Sequence, residues 1–282
     1  ADVIPVPFDT LLSIAVSFPE WKRLALTISD LEKQHPDLAG VVILHGTSSM
    51  EETAYALSLT LKTNLPVVLT GAQRPASAVS SDAGLNIFNA VRIACSPEAR
   101  EMGVMIALND EIHAARDVTK SSNGRLQTFV SHDFGALGHA DGDRIVFYRK
   151  PIRRHNPNTE FDIAKMATFP RVDIAYSYAG DDGTAIKAFV QAGAQGIVAA
   201  AFAPGLLSPQ EDIAMREAVK AGVCVVISSR AGSSRTFAPT KSREAGYLQA
   251  DNLNPQKARV LLGMALATTK DPVQLQRIFD EY

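Results

Sequence analysis

Short apolar runs alternate with helix-period segments along most of the chain. Gly40-Val-Val-Ile-Leu44 is a β-branched run bounded by turn residues, and it predicts a strand buried on both faces. Met50 to Lys62 follows as a helix, with Ser49 as N-cap and Glu52, three residues on, completing a capping box. Pro66 to Gly71 predicts a second strand, Asp82 to Ala94 a helix and Gly103 to Leu108 a third strand. Strands this uniformly apolar, joined by helices, predict a parallel sheet covered on both faces. Right-handed crossovers then make it doubly wound. Ligands in such sheets bind beyond the carboxyl ends of the strands, and His45-Gly46-Thr47 falls at such an end.

The texture changes from Gly135 to Pro170. Gly142-Asp143 marks a hairpin turn between short strands, and Arg149-Lys-Pro-Ile-Arg-Arg-His155 forms a basic cluster. Prolines break that cluster and no aromatics interleave it, so it reads as a solvated interdomain connection rather than an anion site. Alternation then resumes, with strands at Val172 to Tyr178, Gly196 to Ala201 and Val223 to Ser228. Helices are expected from Gly183 to Ala192, closed by Gly193, and from Pro209 to Ala221. The second has Ser208 as N-cap, Pro209 at the first helical position, Glu211 at N3 and Gly222 as its stop. Asn254 to Ala267 and Pro272 to Phe279 are terminal helices. The expected partition is a domain over 1–155, a linker over 156–170 and a smaller α/β domain over 171–282. No internal repeat or low-complexity tract appears.

Composition narrows the functional classes. The chain has 282 residues and a net charge of −2, which gives no footing for a polyanion-binding surface or a nucleic-acid partner. No apolar run approaches the roughly 20 residues needed to span a bilayer. Cys95 and Cys224 lie far apart and read as two buried small hydrophobes, not as a disulfide. Cysteine use therefore leaves the compartment open between periplasm and cytoplasm, with the periplasm preferred. The chain opens at Ala1-Asp-Val-Ile without an initiator Met.

Thr47 follows a buried strand and a glycine and precedes a helix N-terminus, where developing negative charge is favoured. It suits a nucleophile or an oxyanion partner, but position alone favours the plainer reading that Thr47 and Ser48 help to cap the next helix. Lys120 ends Arg116-Asp-Val-Thr-Lys120. A lysine beside a hydroxyl can act as its base when partial burial depresses its pKa, and the alternative is a surface lysine. Asp82 is expected to cap a helix, Asn86 is open between ligand binding and capping, and Asp117 is open between an ion pair and a solvated carboxylate. The six histidines show no H-x-x-x-H or Cys/His spacing, so no metal is expected. There is no G-x-S-x-G elbow, P-loop or G-x-G-x-x-G, which removes the footing for a nucleotide-dependent oxidoreductase.

His45-Gly-Thr-Ser-Ser-Met-Glu-Glu-Thr-Ala54 resembles the L-asparaginase/glutaminase segment whose usual form is H-G-T-D-T-M-E-E-T-A. Gly71-Ala-Gln-Arg-Pro75 is similar to that family's G-A-M-R-P, and Ser81-Asp82 with Asn86 and Asn89-Ala90 to its A-D-G-x-x-N-x-x-N-A helix. Asn109-Asp110, Arg116 to Lys120, Phe134 to Gly138 and Leu253 to Arg259 also fit, in the family's order. The resemblance implies a larger flavodoxin-like N-terminal domain, a smaller C-terminal α/β domain, and homotetramers with sites at subunit contacts. It implies hydrolysis of a small-molecule amide through a threonine nucleophile and an acyl-enzyme, without cofactor or metal. Thr47 and Lys120 match the family's second catalytic group, and Ser13 matches the serine that binds the substrate α-carboxylate.

The chain departs from the pattern in three places. The family's opening T-G-G-T-I strand, with the primary nucleophile, and the lid tyrosine after it are not found. The expectation is that about 40 family residues precede Ala1, since fraying removes fewer and loss of a first strand exposes apolar neighbours. Ser48 replaces the aspartate that pairs with the substrate α-ammonium, and a neutral hydrogen bond is weaker than a charge-assisted one. Ile14 stands where the family has Gln or Glu, Ala203-Pro204-Gly205 where it often has Asn, and Pro239 to Arg243 lacks the acidic residue supplied to a neighbouring subunit. Two readings follow: an amidohydrolase whose pocket is altered from that for L-asparagine, or a catalytically inactive ligand-binding or regulatory relative.

Overall fold

The computed structural model describes residues 1–237 and 239–282. They form two compact units, residues 1–165 and 166–282.

The first unit begins with a 3-10 turn at Ser13–Ala15 and a helix, α1, at Phe18–Gln34. No element is expected here from the apolar runs above, although the signals are present. Glu20 accepts the Ser17 backbone N–H at 2.8 Å, and Phe18, Trp21, Leu24, Ala25 and Ile28 form one buried stripe at helical spacing. There follow β1 (Val41–Leu44), α2 (Met50–Thr60), β2 (Val67–Thr70), α3 (Ala83–Ala94), β3 (Val104–Leu108) and β4 (Glu111–Ala114). The unit continues with β5 (Thr119–Lys120), β6 (Phe129–Val130), β7 (Gly138–Ala140) and β8 (Ile145–Phe147).

The six-stranded sheet runs β1-β2-β3-β4-β7-β8. Its first three strands are parallel, as expected, but from β3 onward the pairings are antiparallel. The cause is local. Asn109 and Asp110 both take positive φ, 51° and 63°, and so make a two-residue hairpin turn that sends β4 back along β3. The hairpin expected at Gly142-Asp143 lies between β7 and β8. Val68, Met105 and Ala107 face α3, while the alternate residues Val67, Leu69, Val104 and Ile106 are equally buried. On that side α2 packs against β3, and α1 packs against α2. The sheet is thus covered on both faces.

The basic segment is less solvated than expected. Arg149 Nε donates to the Ala136 carbonyl at 3.0 Å, its guanidinium pairs with Asp117 at 3.4 Å, and Arg154 pairs with Glu160 at 3.0 Å. Beyond it, the Asn156 backbone N–H donates to the Ser58 carbonyl at 2.9 Å.

The second unit comprises β9 (Val172–Tyr176), α4 (Thr184–Gln191), β10 (Gly196–Ala201), α5 (Pro209–Lys220), β11 (Cys224–Ser229), α6 (Thr240–Glu244), β12 (Leu248–Gln249), α7 (Pro255–Leu266) and α8 (Pro272–Glu281). Its four strands are all parallel, in the order β12-β11-β10-β9. Ala199 and Ala201 on β10 pack with Ile186 of α4 and Met215 of α5, and α7 packs against β9 and β10. The capping box foreseen at α5 is present, Ser208 Oγ accepting the Glu211 N–H and the Glu211 carboxylate the Ser208 N–H, each at 3.2 Å.

Both cysteines are free. Burial pushes the Cys224 thiol up to about 12, but Cys95 is exposed just past the end of α3, contrary to expectation, because the chain turns away there into Ser96-Pro97. Among the described residues no helix is long and apolar enough to cross a membrane.

Candidate active site

The carboxyl end of β1 delivers His45, Gly46 and Thr47 directly to the N-terminus of α2. Two close approaches shape this turn. A Cβ on Gly46 would lie 2.7 Å from Ser13 Oγ, so only glycine lets the 3-10 turn settle on this backbone. A Cβ on Gly71, at the end of β2, would strike the His45 carbonyl oxygen. Ser49 occupies the N-cap position of α2, yet its hydroxyl makes no cap bond. It donates instead to the Ser13 carbonyl at 2.5 Å. The capping box expected at Ser49 and Glu52 therefore gives way to a tertiary bond that brings Ser13, which is buried, to the turn.

A hydrogen-bonded relay fixes the His45 ring. Its Nδ1 lies 2.7 Å from the Gly46 carbonyl, which can only accept, so Nδ1 carries the proton. Nε2 then accepts from the Thr53 hydroxyl at 3.0 Å, and Thr53 Oγ1 in turn accepts the Trp21 indole N–H at 3.0 Å. Burial holds the His45 pKa below the ordinary histidine value. The relay ties α1 and α2 to the residue that begins the turn. No sequence pattern marks it: Thr53 lies in the His45–Ala54 segment without an assigned role, and Trp21 is 32 positions away from it.

Lys120 comes from β5, which pairs with β6 outside the main sheet. Its Nζ donates to Thr47 Oγ1 at 2.7 Å. Both residues are partly buried, and burial lowers the Lys120 pKa from the ordinary lysine value. A half-buried amine in contact with a hydroxyl can exchange a proton with it once the amine is neutral. Of the residues singled out from sequence, Ser13, Thr47 and Lys120 are thus gathered at the carboxyl edge of β1, and Ser48 is exposed beside Thr47. Glu51, unread in the sequence, is buried in the first turn of α2 and accepts from Lys120 N and Thr119 Oγ1, each at 3.2 Å.

Asp82 stands at the N-cap position of α3 but, against expectation, does not cap it. Its carboxylate accepts the backbone N–H groups of Gln73 and Arg74 at 3.0 and 2.9 Å and the Asn86 amide at 3.0 Å. Burial works to raise its pKa, but these hydrogen bonds outweigh it and the net shift is downward. Asn86 also donates to the Gly71 carbonyl at 2.9 Å and accepts the Asn109 N–H at 3.0 Å. The pair braces the loops that leave β2 and β3. Asp117 pairs with Arg149 and Arg116, which settles its open reading as an ion-pair partner. Among the described residues no group of three His, Cys, Asp or Glu side chains is placed to hold a metal ion.

Comparison with known proteins gives matches along both units. The asparaginase N-terminal family profile matches residues 2–153, and that of the glutaminase/asparaginase C-terminal domain matches residues 171–279. The chain is 41% identical over 265 residues to L-asparaginase 2 of Escherichia coli (strain K12), covering 93% of this chain and 75% of that protein. It is 42% identical over 246 residues to L-asparaginase 2 of Bacillus subtilis (strain 168), covering 87% of this chain and 65% of that protein. The crystal structure of a probable cytoplasmic L-asparaginase from Campylobacter jejuni superposes with a TM-score of 0.97 at 41% identity, covering 100% of this chain and 90% of that one.

Proposed function

The chain belongs to the asparaginase/glutaminase amidohydrolase family, and on that premise we propose that it hydrolyses a carboxamide to a carboxylate and ammonia through the Thr47–Lys120 pair. The observation that carries this reading is the 2.7 Å contact between Lys120 Nζ and Thr47 Oγ1. Neutral Lys120 takes the proton of Thr47 Oγ1, and Thr47 takes one from the attacking oxygen as its new bond to the acyl carbon forms. The C–N bond then breaks as the amide nitrogen takes up the proton held on the Lys120 ammonium, and the nitrogen leaves as ammonia. The threonine nucleophile and acyl-enzyme belong to this proposal by family likeness; once ammonia has left, Thr47 and Lys120 serve the water that cleaves the acyl-enzyme ester.

The substrate pocket is read as altered from that for L-asparagine. Ser13 is assigned to a substrate carboxylate by family likeness, but Ser48 offers no charge to an α-ammonium. The same absence favours the second reading, a ligand-binding relative without catalysis. An ammonia-release screen over amides with and without a free α-ammonium separates them. Release from any amide supports hydrolysis; binding of an amide without release supports the second reading.

Assembly as a homotetramer with sites at subunit contacts belongs to the same proposal. It is supported by Leu85 and Phe88, large apolar side chains on α3 that are 55% and 59% exposed. Light scattering that returns the mass of a single chain at working concentration contradicts it.

A further inference from the structure

Lys120 reaches Thr47 from a weakly anchored place. β5 is a two-residue strand whose ladder consists of Thr119 opposite Val130 and Lys120 opposite Phe129, and it belongs to neither large sheet. Isolated two-stranded ribbons are marginal on their own. The lysine stem is also long and flexible, and it loses much rotamer freedom when it is held in one geometry. A fixed Nζ–Oγ1 contact therefore requires the main chain of Lys120 to be pinned by something beyond that ladder.

Glu51 does this. It follows Thr47 by four residues in the turn that starts α2, and only 6% of its surface is exposed. Its Oε1 accepts the Lys120 backbone N–H and the Thr119 hydroxyl, each at 3.2 Å. A closed ring results, from Thr47 through the helix turn to Glu51, across to the Lys120 backbone, and along the lysine stem to Thr47 Oγ1. A buried carboxylate is costly without hydrogen-bond donors, and the N-terminus of a helix favours its charge. Glu51 is thus held in place by the elements it joins.

We propose that Glu51 is a positioning residue for the Thr47–Lys120 pair, its carboxylate holding β5 against the first turn of α2 so that amine and hydroxyl meet. It touches neither substrate nor reacting atoms. The inference rests on the amidohydrolase reading for its consequence, but the alignment itself is measurable without activity.

The experiment compares Glu51→Ala, Glu51→Gln and Thr119→Val with the wild-type chain in two readouts. The first is competitive labelling of amines by a trace acylating reagent across the alkaline range, with the pH profile of Lys120 read by mass spectrometry. The second is kcat and KM for ammonia release. Glu51→Ala is expected to move the Lys120 profile to higher pH, toward that of the surface lysines. Its kcat should fall by about a hundredfold, the loss a misplacement on the ångström scale produces, with KM within about threefold. Glu51→Gln keeps an acceptor oxygen and is expected to restore most of both, and Thr119→Val to fall between. Should Glu51→Ala fail to fold, Thr119→Val carries the test alone. An unchanged Lys120 profile in the folded variants overturns the proposal, as does a Gln variant no better than Ala. If no amide yields ammonia with the wild-type chain, the functional reading fails while the labelling arm still decides the role of Glu51.

Discussion

Lys120 Nζ sits 2.7 Å from Thr47 Oγ1, although 73 positions separate the two residues in sequence. The contact joins a loop at the end of a parallel strand to a two-residue ribbon outside the main sheet. Proton exchange between these groups depends on the lysine being neutral, and its burial acts in that direction.

The pH dependence follows with a definite sign. Burial lowers the folded-state pKa of Lys120 below its unfolded value, so the neutral amine forms at lower pH than in a free lysine. Ammonia release is therefore expected to rise with pH and to reach its half-maximal rate below the ordinary lysine pKa. For stability, such a group contributes fully above its unfolded pKa and loses that contribution as pH falls through the folded one. Lys120→Met is accordingly expected to raise Tm near neutral pH while lowering activity. A rate profile flat in pH, or a lowered Tm, contradicts this account.

The His45–Thr53–Trp21 relay gives a separate test. Thr53→Val removes the donor to His45 Nε2 and the acceptor of the Trp21 indole, at a cost of about 1–3 kcal/mol in unfolding free energy. Trp21 is the single tryptophan, so its fluorescence reports the change directly in a denaturant titration. Because burial depresses the His45 pKa, its stabilisation is present above about pH 6.5 and is lost as pH falls through the folded value. His45→Gln is expected to flatten part of that acid decline. An identical acid decline in this variant would remove His45 from the explanation.

Ser48 carries the prediction about substrate choice. Ser48→Asp places a carboxylate beside Thr47 and is expected to raise kcat/KM on L-asparagine about tenfold relative to an amide without an α-ammonium, a difference of about 1.4 kcal/mol. Steady-state kinetics on the two substrates measures the ratio. An unchanged ratio shows that Ser48 does not face the head of the substrate.

Most of the architecture was legible because buried strands and capped helices write themselves as periodicity. The α5 box of Ser208 and Glu211 is the clearest case. The turn at Leu108-Asn-Asp-Glu111 is legible in the sequence, and Asn109 and Asp110 both take positive φ there, but the short Glu111–Ala114 run that returns as β4 lacks the β-branched pattern of a strand. At the site, position and residue type mark Thr47 and Lys120 as candidates and motif likeness raises them, while their contact is a tertiary fact no local pattern encodes. Ser49, Asp82 and Glu51 show the same limit. Each has the composition of a helix start, but each spends its side chain on a distant partner: Ser13, the Gln73–Arg74 loop and β5. Local propensity ranks capping first, and only packing decides which acceptor or donor wins.

The central claim is that Lys120, acting through Thr47, handles the proton in amide hydrolysis. The most direct test is kcat/KM for ammonia release by Lys120→Met against the wild-type chain, on whichever amide the screen shows is turned over best. The expected result is a fall of about a hundredfold to ten-thousandfold, with the variant folded. A variant as fast as the wild-type chain would contradict it.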